Sequence, residues 1–266
     1  MLLRVQSGNK LGTTGFFRNR PLLEAMVECL QGLGKPTVRV LFHASSIGAE
    51  VYSFLIHATL TLGQRPGPKI KCFASDIEAG FLDRAREGIF PIDVLSRLRG
   101  EERLFFKVLN KKLIRVHDPI REAVSFLPPA DFVTFAASDD FDMVVVLDAL
   151  LHVVADDQAR AIAAIARYNS GFLVASGFHM DRIKADVTAA GYHPVVARIE
   201  HIHKGWKDRL ALPRGYVVPG VTHHSPALPP FAIVADFEYK FCALFAKEGV
   251  PHALATDEVY ADLLAS

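Results

Sequence analysis

From residue 37 onward, the chain alternates between short apolar runs and longer segments in which apolar residues recur at helical spacing. The first run, TVRVLFHA at residues 37–44, is rich in β-branched residues, as expected for a strand that is buried on both faces. Apolar residues then recur at nearly helical intervals from Gly48 onward. A break rich in glycine and proline at residues 62–68 ends this predicted helix.

The same alternation continues to about residue 192. Further strands are predicted at residues 69–75, 124–128, 141–148 and 171–177, and helices at residues 76–88, 156–168 and 180–192. The strand that ends near Asp148 is too apolar for an edge and is expected at the centre of a sheet. Residues 91–123 are less regular, with a mixed helical stretch at 94–109.

This regular alternation predicts βαβ units, whose right-handed crossovers build a doubly wound, mostly parallel sheet in an α/β fold. Residues 193–203 and 214–220 are expected to close the sheet as an antiparallel pair. We therefore predict an N-terminal segment over residues 1–36, a sheet domain over 37–220, and a linker with a helical tail over 221–266.

Composition narrows the classes of function. Half of the residues are hydrophobic, which allows a sizeable core, and the formal net charge is only +1. This balance predicts no nucleic-acid partner and no attraction to a membrane surface, and no apolar run is long enough to insert into a bilayer. Three cysteines are present, none spaced as CxxC, and Cys72 lies in an apolar run. They are typical of buried thiols in a reducing compartment, which predicts a cytoplasmic protein.

Small and polar residues follow three of the predicted strands, in HASSIGAE (43–50), ASDIE (74–78) and LDALLH (147–152). In an open α/β sheet, ligands bind beyond the carboxyl ends of the strands, where the strand order reverses, so these segments are expected to converge. The first one offers small residues and a helix N-terminus at Gly48, which let a ligand approach the backbone. In the second, Asp76 stands where an acidic residue usually binds ribose hydroxyls.

These features also have ordinary structural explanations. A lone glycine between a strand and a helix is more often a tight turn, and an aspartate at a helix start is more often a cap. The absence of a GxGxxG motif argues against NAD and FAD. His201 and His203 form an HxH pair whose rings would share one face of a strand, but no carboxylate or cysteine is placed to complete a metal site. The sequence therefore predicts no metal.

Taken together, the segments resemble the CheR-type family of chemotaxis-receptor methyltransferases. TTGFFRNRPLLEAM (13–26) is similar to the family's T-x-FFR motif, and ASSIGAEVYS (44–53) to its loop, commonly written A-x-S-T-G-E-E-P-Y-S. ASDIEAGFLDRAREGIFP (74–91) resembles the A-[ST]-D-I-D segment, and Gln158 matches a frequent glutamine. The likeness extends over roughly residues 12–177. Members of this family use S-adenosylmethionine to esterify glutamates of bacterial chemoreceptors.

The resemblance implies a Rossmann-like class I methyltransferase fold with a seven-stranded sheet, and S-adenosyl-L-methionine as the cofactor. It implies cofactor-binding roles for Thr14, Arg18, Ser46, Gly48, Glu50, Asp76, Asp148 and Ala149. Arg18 and Asp148 are the catalytic candidates. A guanidinium can hold a carboxylate in a fixed fork, whether that carboxylate belongs to the cofactor or to an acceptor.

The sequence also departs from the family pattern. Leu147 and Asp148 stand where the family has Arg-Asn, a change that adds a negative charge and removes an amide donor. Ala49 replaces the first glutamate of the loop, and Val51 replaces its proline. Only fifteen residues precede Phe16, the first residue of the FFR motif, so the family's helical receptor-recognition domain is not expected ahead of it.

Two functions fit this pattern. The first is an S-adenosylmethionine-dependent methyltransferase whose acceptor is a carboxylate oxygen of a protein glutamate or a small molecule. A carboxylate needs no base, whereas a hydroxyl or amine acceptor would need His152, Tyr52 or Asp148 to remove a proton. The alternative is a degenerate relative that binds S-adenosylmethionine or S-adenosylhomocysteine in a regulatory role without turnover. The apolar stripe of residues 237–249 predicts a docking helix that covers the active site or forms a homodimer contact.

Overall fold

The structure is a computed structural model that describes residues 3–7, 10–63, 67–136, 140–150, 153, 155–176, 180–210 and 242–251. Its strands are β1 (Leu3–Ser7), β2 (Lys10–Thr14), β3 (Thr37–His43), β4 (Lys69–Ser75), β5 (Ile89–Pro91), β6 (Phe106–Val108), β7 (Leu113–Val116), β8 (Val124–Phe126), β9 (Phe141–Leu147), β10 (Asn169–Ser176), β11 (Tyr192–Pro194) and β12 (Cys242–Lys247).

The helices lie between these strands, as the alternating sequence pattern predicts. They are α1 (Arg20–Gly32), α2 (Ala49–Leu62), α3 (Ala79–Glu87), α4 (Gly100–Arg103), α5 (Asp118–Glu122), α6 (Ala155–Tyr168), α7 (Lys184–Ala189) and α8 (Ile199–Leu210). Short 3₁₀ helices cover Ile92–Arg97 and Met180–Ile183.

Seven strands form the central sheet in the order β11-β12-β10-β9-β3-β4-β8. Neighbouring strands from β10 to β8 are parallel, whereas β12 runs antiparallel to both β10 and β11. The chain passes from β3 to β4 on one side and later returns to place β9 on the other side of β3. The predicted doubly wound, mostly parallel sheet is therefore confirmed, with its switch point between the carboxyl ends of β3 and β9.

The middle strand of the seven is β9, as its apolar sequence predicts, and β3 lies beside it as an inner strand because its side chains are apolar on both faces. Val40 and Phe42 pack into a cluster that includes residues of α1 and α2. Leu41 points to the opposite face, where it packs with residues of α6 and α7. Such a run cannot leave either face in water, so helices cover both sides of the sheet.

The N-terminal segment is fixed between the central sheet and a smaller one. Strands β1 and β2 form a hairpin ahead of the FFR motif, and Asn19 then caps α1. The side-chain amide of Asn19 also donates to the carbonyl of Ile202 in α8, at 2.8 Å. Phe16 packs edge-on against Phe90 and Phe106, with ring centroids at 4.7 and 5.1 Å, in the three-stranded sheet β5-β7-β6.

Two predictions for the C-terminal part are wrong. The strand predicted over residues 193–203 ends early, because β11 stops at Pro194 and the two histidines of the HxH pair lie in helix α8. The helix predicted over residues 237–249 is also wrong, because β12 is a strand that lies between β10 and β11. An antiparallel closing pair does exist, but β12 forms it, and residues 214–220 lie outside the described residues.

The irregular region, residues 91–123, contains β6 and β7, two strands of a small sheet that the sequence pattern does not predict. The expected mixed helical stretch is only a 3₁₀ helix followed by the single turn α4. Across the segments that the structure describes, no helix combines the length and the apolar character needed to cross a membrane.

Candidate functional site

The loop between β3 and α2 has an unusual backbone. Ala44, Ser46 and Gly48 have positive φ angles of 62°, 51° and 82°. Left-handed backbone at a non-glycine residue costs about 1–3 kcal/mol, so the surrounding structure must hold this loop in place. The Ser45 N–H donates to the carbonyl of Ser75 at 3.0 Å, and the Gly48 N–H donates to the carbonyl of Ser45 at 3.0 Å. These bonds fix the short loop that joins the carboxyl end of β3 to the start of α2 at Ala49.

Asp76 ties this loop to the end of β4. Its buried carboxylate accepts the backbone N–H of Ser46 at 2.7 Å and that of Glu78 at 3.0 Å. Burial raises the pKa of Asp76, while the backbone hydrogen bonds act in the opposite direction. The tight turn anticipated at Gly48 is thus present, whereas Asp76 does not cap α3: the N-cap residue of α3 is Glu78, and no side chain in the described part of the chain caps its first amides. A carboxylate has about four lone-pair sites, so Asp76 can accept further hydrogen bonds.

Arg18, Glu50 and Asp148 form a buried ion-paired set at the switch point. The Nη1 atom of Arg18 lies 2.5 Å from Oε1 of Glu50, and its Nη2 atom pairs with Oδ2 of Asp148. The three side chains are only 7%, 12% and 18% exposed. Burial alone would lower the pKa of Arg18, but the charges of the two carboxylates offset it and the pKa is raised. Thr14 donates its hydroxyl to the same glutamate, Glu50.

Asp148 is held by contacts from β10. Its backbone has a φ of 56°, a left-handed conformation that aspartate and asparagine adopt more readily than most residues. The Asp148 N–H donates to the carbonyl of Ser176 at 2.9 Å, and the Ser176 hydroxyl donates to Oδ1 of Asp148 at 3.0 Å. Sequence reasoning missed Ser176; its signal is a polar residue that ends an otherwise apolar strand beside β9.

The FFR motif is anchored to α2 through Ser53. The Phe17 N–H donates to the Ser53 hydroxyl at 2.9 Å, and that hydroxyl donates to the carbonyl of Ala49 at 2.7 Å. Phe17 has a φ of 48°, so the turn that presents Arg18 is also held in a left-handed conformation. Ala49 is fully buried, which explains why a small residue stands at this position of the loop.

Gln158 holds the loop that follows β9. Its side-chain amide donates to the carbonyls of Leu150 and Val153, at 3.1 Å each. Ala149, which the resemblance places at the cofactor, is half-buried in this loop directly after Asp148. Gln158, the glutamine that matches the family pattern, therefore lies in helix α6 and holds the loop after β9 in its conformation.

One candidate base is excluded by its environment. Tyr52 is fully buried, and its hydroxyl donates to the carbonyl of Ala85 at 2.5 Å. Burial strongly raises the pKa of Tyr52, so its hydroxyl cannot ionise to remove a proton near neutral pH. The prediction that Tyr52 could act as a base is therefore wrong. His152, the other neutral candidate, lies outside the described residues.

The HxH pair does not have the geometry that a metal site would need. Residues two apart on a helix point in very different directions, so His201 and His203 do not share a face of α8. His201 is exposed, whereas His203 is buried. Within the described ranges, there is no group of three or more histidine, cysteine, aspartate or glutamate side chains that could hold a metal ion.

A small cavity with mainly apolar walls borders the ion-paired set. Its walls include Arg18 and Glu50, and they are otherwise mainly apolar, with Leu22, Leu23, Met26, Phe42 and Leu147 among them. Water in such a place screens charges poorly, so the charges of Arg18 and its partners act more strongly than they would on an open surface.

The donor set at this site fits a polar ligand. The Oγ atoms of Ser45 and Ser46 and the Nε atom of Arg18 are buried and have no hydrogen-bond partner in the described part of the chain. Buried polar atoms are rarely left unpaired, so a ligand that supplied the missing partners would be stabilised here. The N-cap residue Gly48 has no side chain that could occupy the first amides of α2.

Comparison with known proteins matches residues 12–176 to the family described as CheR methyltransferase, SAM binding domain. A chemotaxis protein methyltransferase 2 from Pseudomonas aeruginosa is 34% identical over 120 residues, which cover 42% of each chain. The chemotaxis protein methyltransferase of Vibrio anguillarum is 26% identical over 136 residues, or 50% of each chain. The matched part thus spans about half the length of these curated relatives.

Solved structures with a similar fold are more distant. Magnesium protoporphyrin IX methyltransferase from Synechocystis with bound SAM has 14% identity and a TM-score of 0.42, covering 85% of this chain and 78% of that one. A TehB-like SAM-dependent methyltransferase from Corynebacterium glutamicum has 14% identity and a TM-score of 0.44, covering 89% and 90%. The family match, in contrast, spans more than half of the chain and contains the FFR motif, the loop after β3 and the end of β9. The chain therefore belongs to the family of CheR methyltransferase S-adenosylmethionine-binding domains.

Proposed function

We propose that the protein transfers a methyl group from S-adenosylmethionine to a carboxylate acceptor. The observation that carries this proposal is the buried set of Arg18, Glu50 and Asp148 at the switch point of the sheet. It lies beside a loop whose buried Ser45 and Ser46 hydroxyls have no hydrogen-bond partner among the described residues, within the part of the chain that matches the family. The switch point is where open α/β sheets bind nucleotide-like ligands.

Each predicted residue has a role that its environment allows. Asp76 would accept the ribose hydroxyls with the lone pairs that Ser46 and Glu78 leave open. Glu50 and Asp148 would attract the positive groups of the cofactor, and Ala149 would line the site after β9. Thr14 would position Glu50, to which it donates. Gly48 would let the ligand approach the backbone, because no side chain blocks the start of α2.

When bound, S-adenosylmethionine supplies an electrophilic methyl group on a sulfonium. The chain's own residues would then act by binding and orientation, because a carboxylate acceptor is already a nucleophile and needs no base. Arg18 is held by two carboxylates and stays protonated, so its role is to position charged groups. The apolar cavity walls beside it would keep water away from the reacting atoms.

The acceptor is proposed from the relatives. They are named chemotaxis protein methyltransferases, so glutamate side chains of a chemoreceptor are the first acceptor to test, and small carboxylic acids the second. A nucleic-acid acceptor does not fit the nearly neutral net charge. Cytoplasmic location and a homodimer contact remain predictions. The homodimer contact can no longer rest on a helix over residues 237–249, since β12 occupies Cys242–Lys247 inside the sheet.

The test is titration calorimetry with S-adenosylmethionine and S-adenosylhomocysteine, followed by transfer of an isotopically labelled methyl group. We expect both ligands to bind. The labelled product should be released by mild alkali, because methyl esters hydrolyse and N-methyl groups do not. Binding of neither ligand to folded protein would refute the proposal. Binding without transfer to any carboxylate acceptor would instead favour the regulatory alternative.

The same calorimetry tests Asp76. We expect Asp76→Ala to weaken binding of both ligands by about 1–3 kcal/mol, because ribose hydroxyls would lose their acceptor and the Ser46 N–H its partner. Asp83→Ala is the matched control, since Asp83 lies exposed on α3 and should leave affinity unchanged. Equal affinities for the Asp76→Ala variant and the wild type would show that Asp76 does not contact the ligand.

A further inference from the structure

The charges of the buried set at the switch point do not cancel. Arg18 contributes one positive charge, while Glu50 and Asp148 contribute one negative charge each, so the set carries one net negative charge. The carboxylate of Asp148 pairs with the guanidinium of Arg18 and accepts a hydrogen bond from the Ser176 hydroxyl. An asparagine at position 148, as in the family pattern, would leave the same set neutral.

Asp148 is placed where a charge can reach a ligand in the crevice. Strands β3 and β9 are hydrogen-bonded neighbours, with Phe42 opposite Val145. Asp148 and Ser45 each lie three residues past that pair, so they end adjacent strands on the same edge of the sheet. The low exposure of the ion-paired side chains and the apolar walls beside them limit screening by solvent.

The proposed cofactor and its product differ by one charge. S-adenosylmethionine carries a sulfonium and an ammonium against one carboxylate, and so has a net charge of about +1 near neutral pH. S-adenosylhomocysteine has a neutral thioether in place of the sulfonium and has no net charge. A fixed negative charge in the crevice therefore attracts the first ligand more strongly than the second.

We propose that Asp148 is a specificity-determining residue, which biases the site toward the cationic S-adenosylmethionine and against the neutral product S-adenosylhomocysteine. This inference rests on the proposed function. Its consequence is weaker retention of the product, because the neutral thioether of S-adenosylhomocysteine is not attracted by the negative charge that attracts the sulfonium. Asp148, which departs from the family pattern, thus changes the affinity for the methyl donor relative to that for the product. The position of the site in the fold stays the same.

The test compares dissociation constants in the wild type and in Asp148→Asn. We expect the variant to lose affinity for S-adenosylmethionine about tenfold relative to its affinity for S-adenosylhomocysteine, a change of ~1.4 kcal/mol in the difference between the two. Sinefungin carries an ammonium in place of the sulfonium, so its affinity should fall together with that of S-adenosylmethionine. This third ligand separates the effect of charge from that of the methyl group.

Asp142→Asn is the matched control. Asp142 lies on the same strand, is buried and is paired with Lys35, but it stands six residues earlier, roughly 20 Å from Asp148 along the chain. It should leave the ratio of the two affinities unchanged. Glu50→Gln removes a negative charge from the set itself and should shift the ratio in the same direction as Asp148→Asn. It provides an independent test if Asp148→Asn does not fold.

The outcomes separate the two proposals. If the wild type binds neither ligand, the proposed function fails. If the wild type binds both but Asp148→Asn and Glu50→Gln weaken them by equal factors, or leave them unchanged, the selectivity inference is overturned and the proposed function stands. A shift confined to the cationic ligands supports the inference.

Discussion

His43 ends β3 next to the site loop and is a buried ionisable side chain, with 2% of its surface exposed. Its ring packs against Phe132 and Phe135, with centroids at 4.7 and 5.0 Å. Neither ring nitrogen has a hydrogen-bond partner among the described residues. Burial lowers the pKa of His43 from 6.5 to about 4, so the folded protein holds this imidazole neutral.

This residue predicts a loss of stability in acid. Between pH 6.5 and about 4, the unfolded chain binds a proton at His43 that the folded chain does not bind. The contribution is therefore fully present above pH 6.5 and is lost as the pH falls toward 4, by up to ~3 kcal/mol. We expect the His43→Phe variant to lack this part of the pH dependence. The measurement is the free energy of unfolding in urea at pH 7.5 and at about pH 4.5. An unchanged loss in the variant would show that other groups cause it.

At the residue scale, sequence motifs predicted which side chains meet, but not how they pair. Thr14, Arg18, Glu50 and Asp148 come together as the resemblance implies. The contribution of Ser176 depends on β10 lying beside β9, a relationship between strands that no single segment of sequence contains.

At the scale of elements, the strand–loop–helix unit β3–α2 depends on Gly48. Its φ of 82° lies in the region that side chains rarely adopt. A Cβ atom at Gly48 would also lie 3.2 Å from the Cβ of Ala85 and 3.2 Å from Cε2 of Tyr52. The glycine is therefore needed both for the backbone turn and for the close packing of α2 against α3.

We expect Gly48→Ala to destabilise the protein by about 1–2 kcal/mol or more, because it adds left-handed strain and a tight contact. Gly100→Ala is the matched control. No atom lies within 4 Å of a Cβ built at Gly100, which begins α4 without positive φ. The control should be neutral or slightly stabilising in urea or thermal unfolding. Equal stabilities of the two variants would contradict this account of the loop.

Hydrophobic periodicity predicted helices and strands well where one pattern runs through the whole element. It predicted them poorly where the apolar run is short. Strands β3, β4 and β9 and helices α2, α3 and α6 all lie where the pattern predicts them. Residues 237–249 show why the prediction for the C-terminal part was wrong. The inner strand β12 contains five apolar residues in a row, Cys242–Ala246, before Lys247, and a short apolar run fits a buried helix as well as a buried strand.

At the scale of the molecule, β12 comes from far along the chain and fills the gap between β10 and β11. It pairs with β10 on one side and with β11 on the other, so Phe245 lies opposite both Leu173 and Pro194. The Phe245 side chain is fully buried in the cluster that also contains Leu41 and Ile165. The sheet therefore extends past the predicted domain boundary at residue 220.

Truncation of Phe245 should thus destabilise the whole domain. We expect Phe245→Ala to cost about 3–5 kcal/mol, the usual cost of removing a buried phenylalanine ring, in urea unfolding followed by circular dichroism. Leu113→Ala is the control, because Leu113 is 37% exposed on β7 and should change stability by less than about 0.5 kcal/mol. If Phe245→Ala were as stable as the control, β12 would not be part of the cooperative core.

The sequence by itself determined the α/β class, the order of the strands β3, β4, β8, β9 and β10 with the helices α2, α3 and α6, and the residues that gather at the switch point. These properties follow from local periodicity and from motifs within single segments. The tertiary structure alone decided which segment fills the gap between β10 and β11, which carboxylates share Arg18, and that Tyr52 is sealed against Ala85. Each of these depends on free energy gained between segments far apart in the chain, by burial and charge pairing, which local patterns do not record.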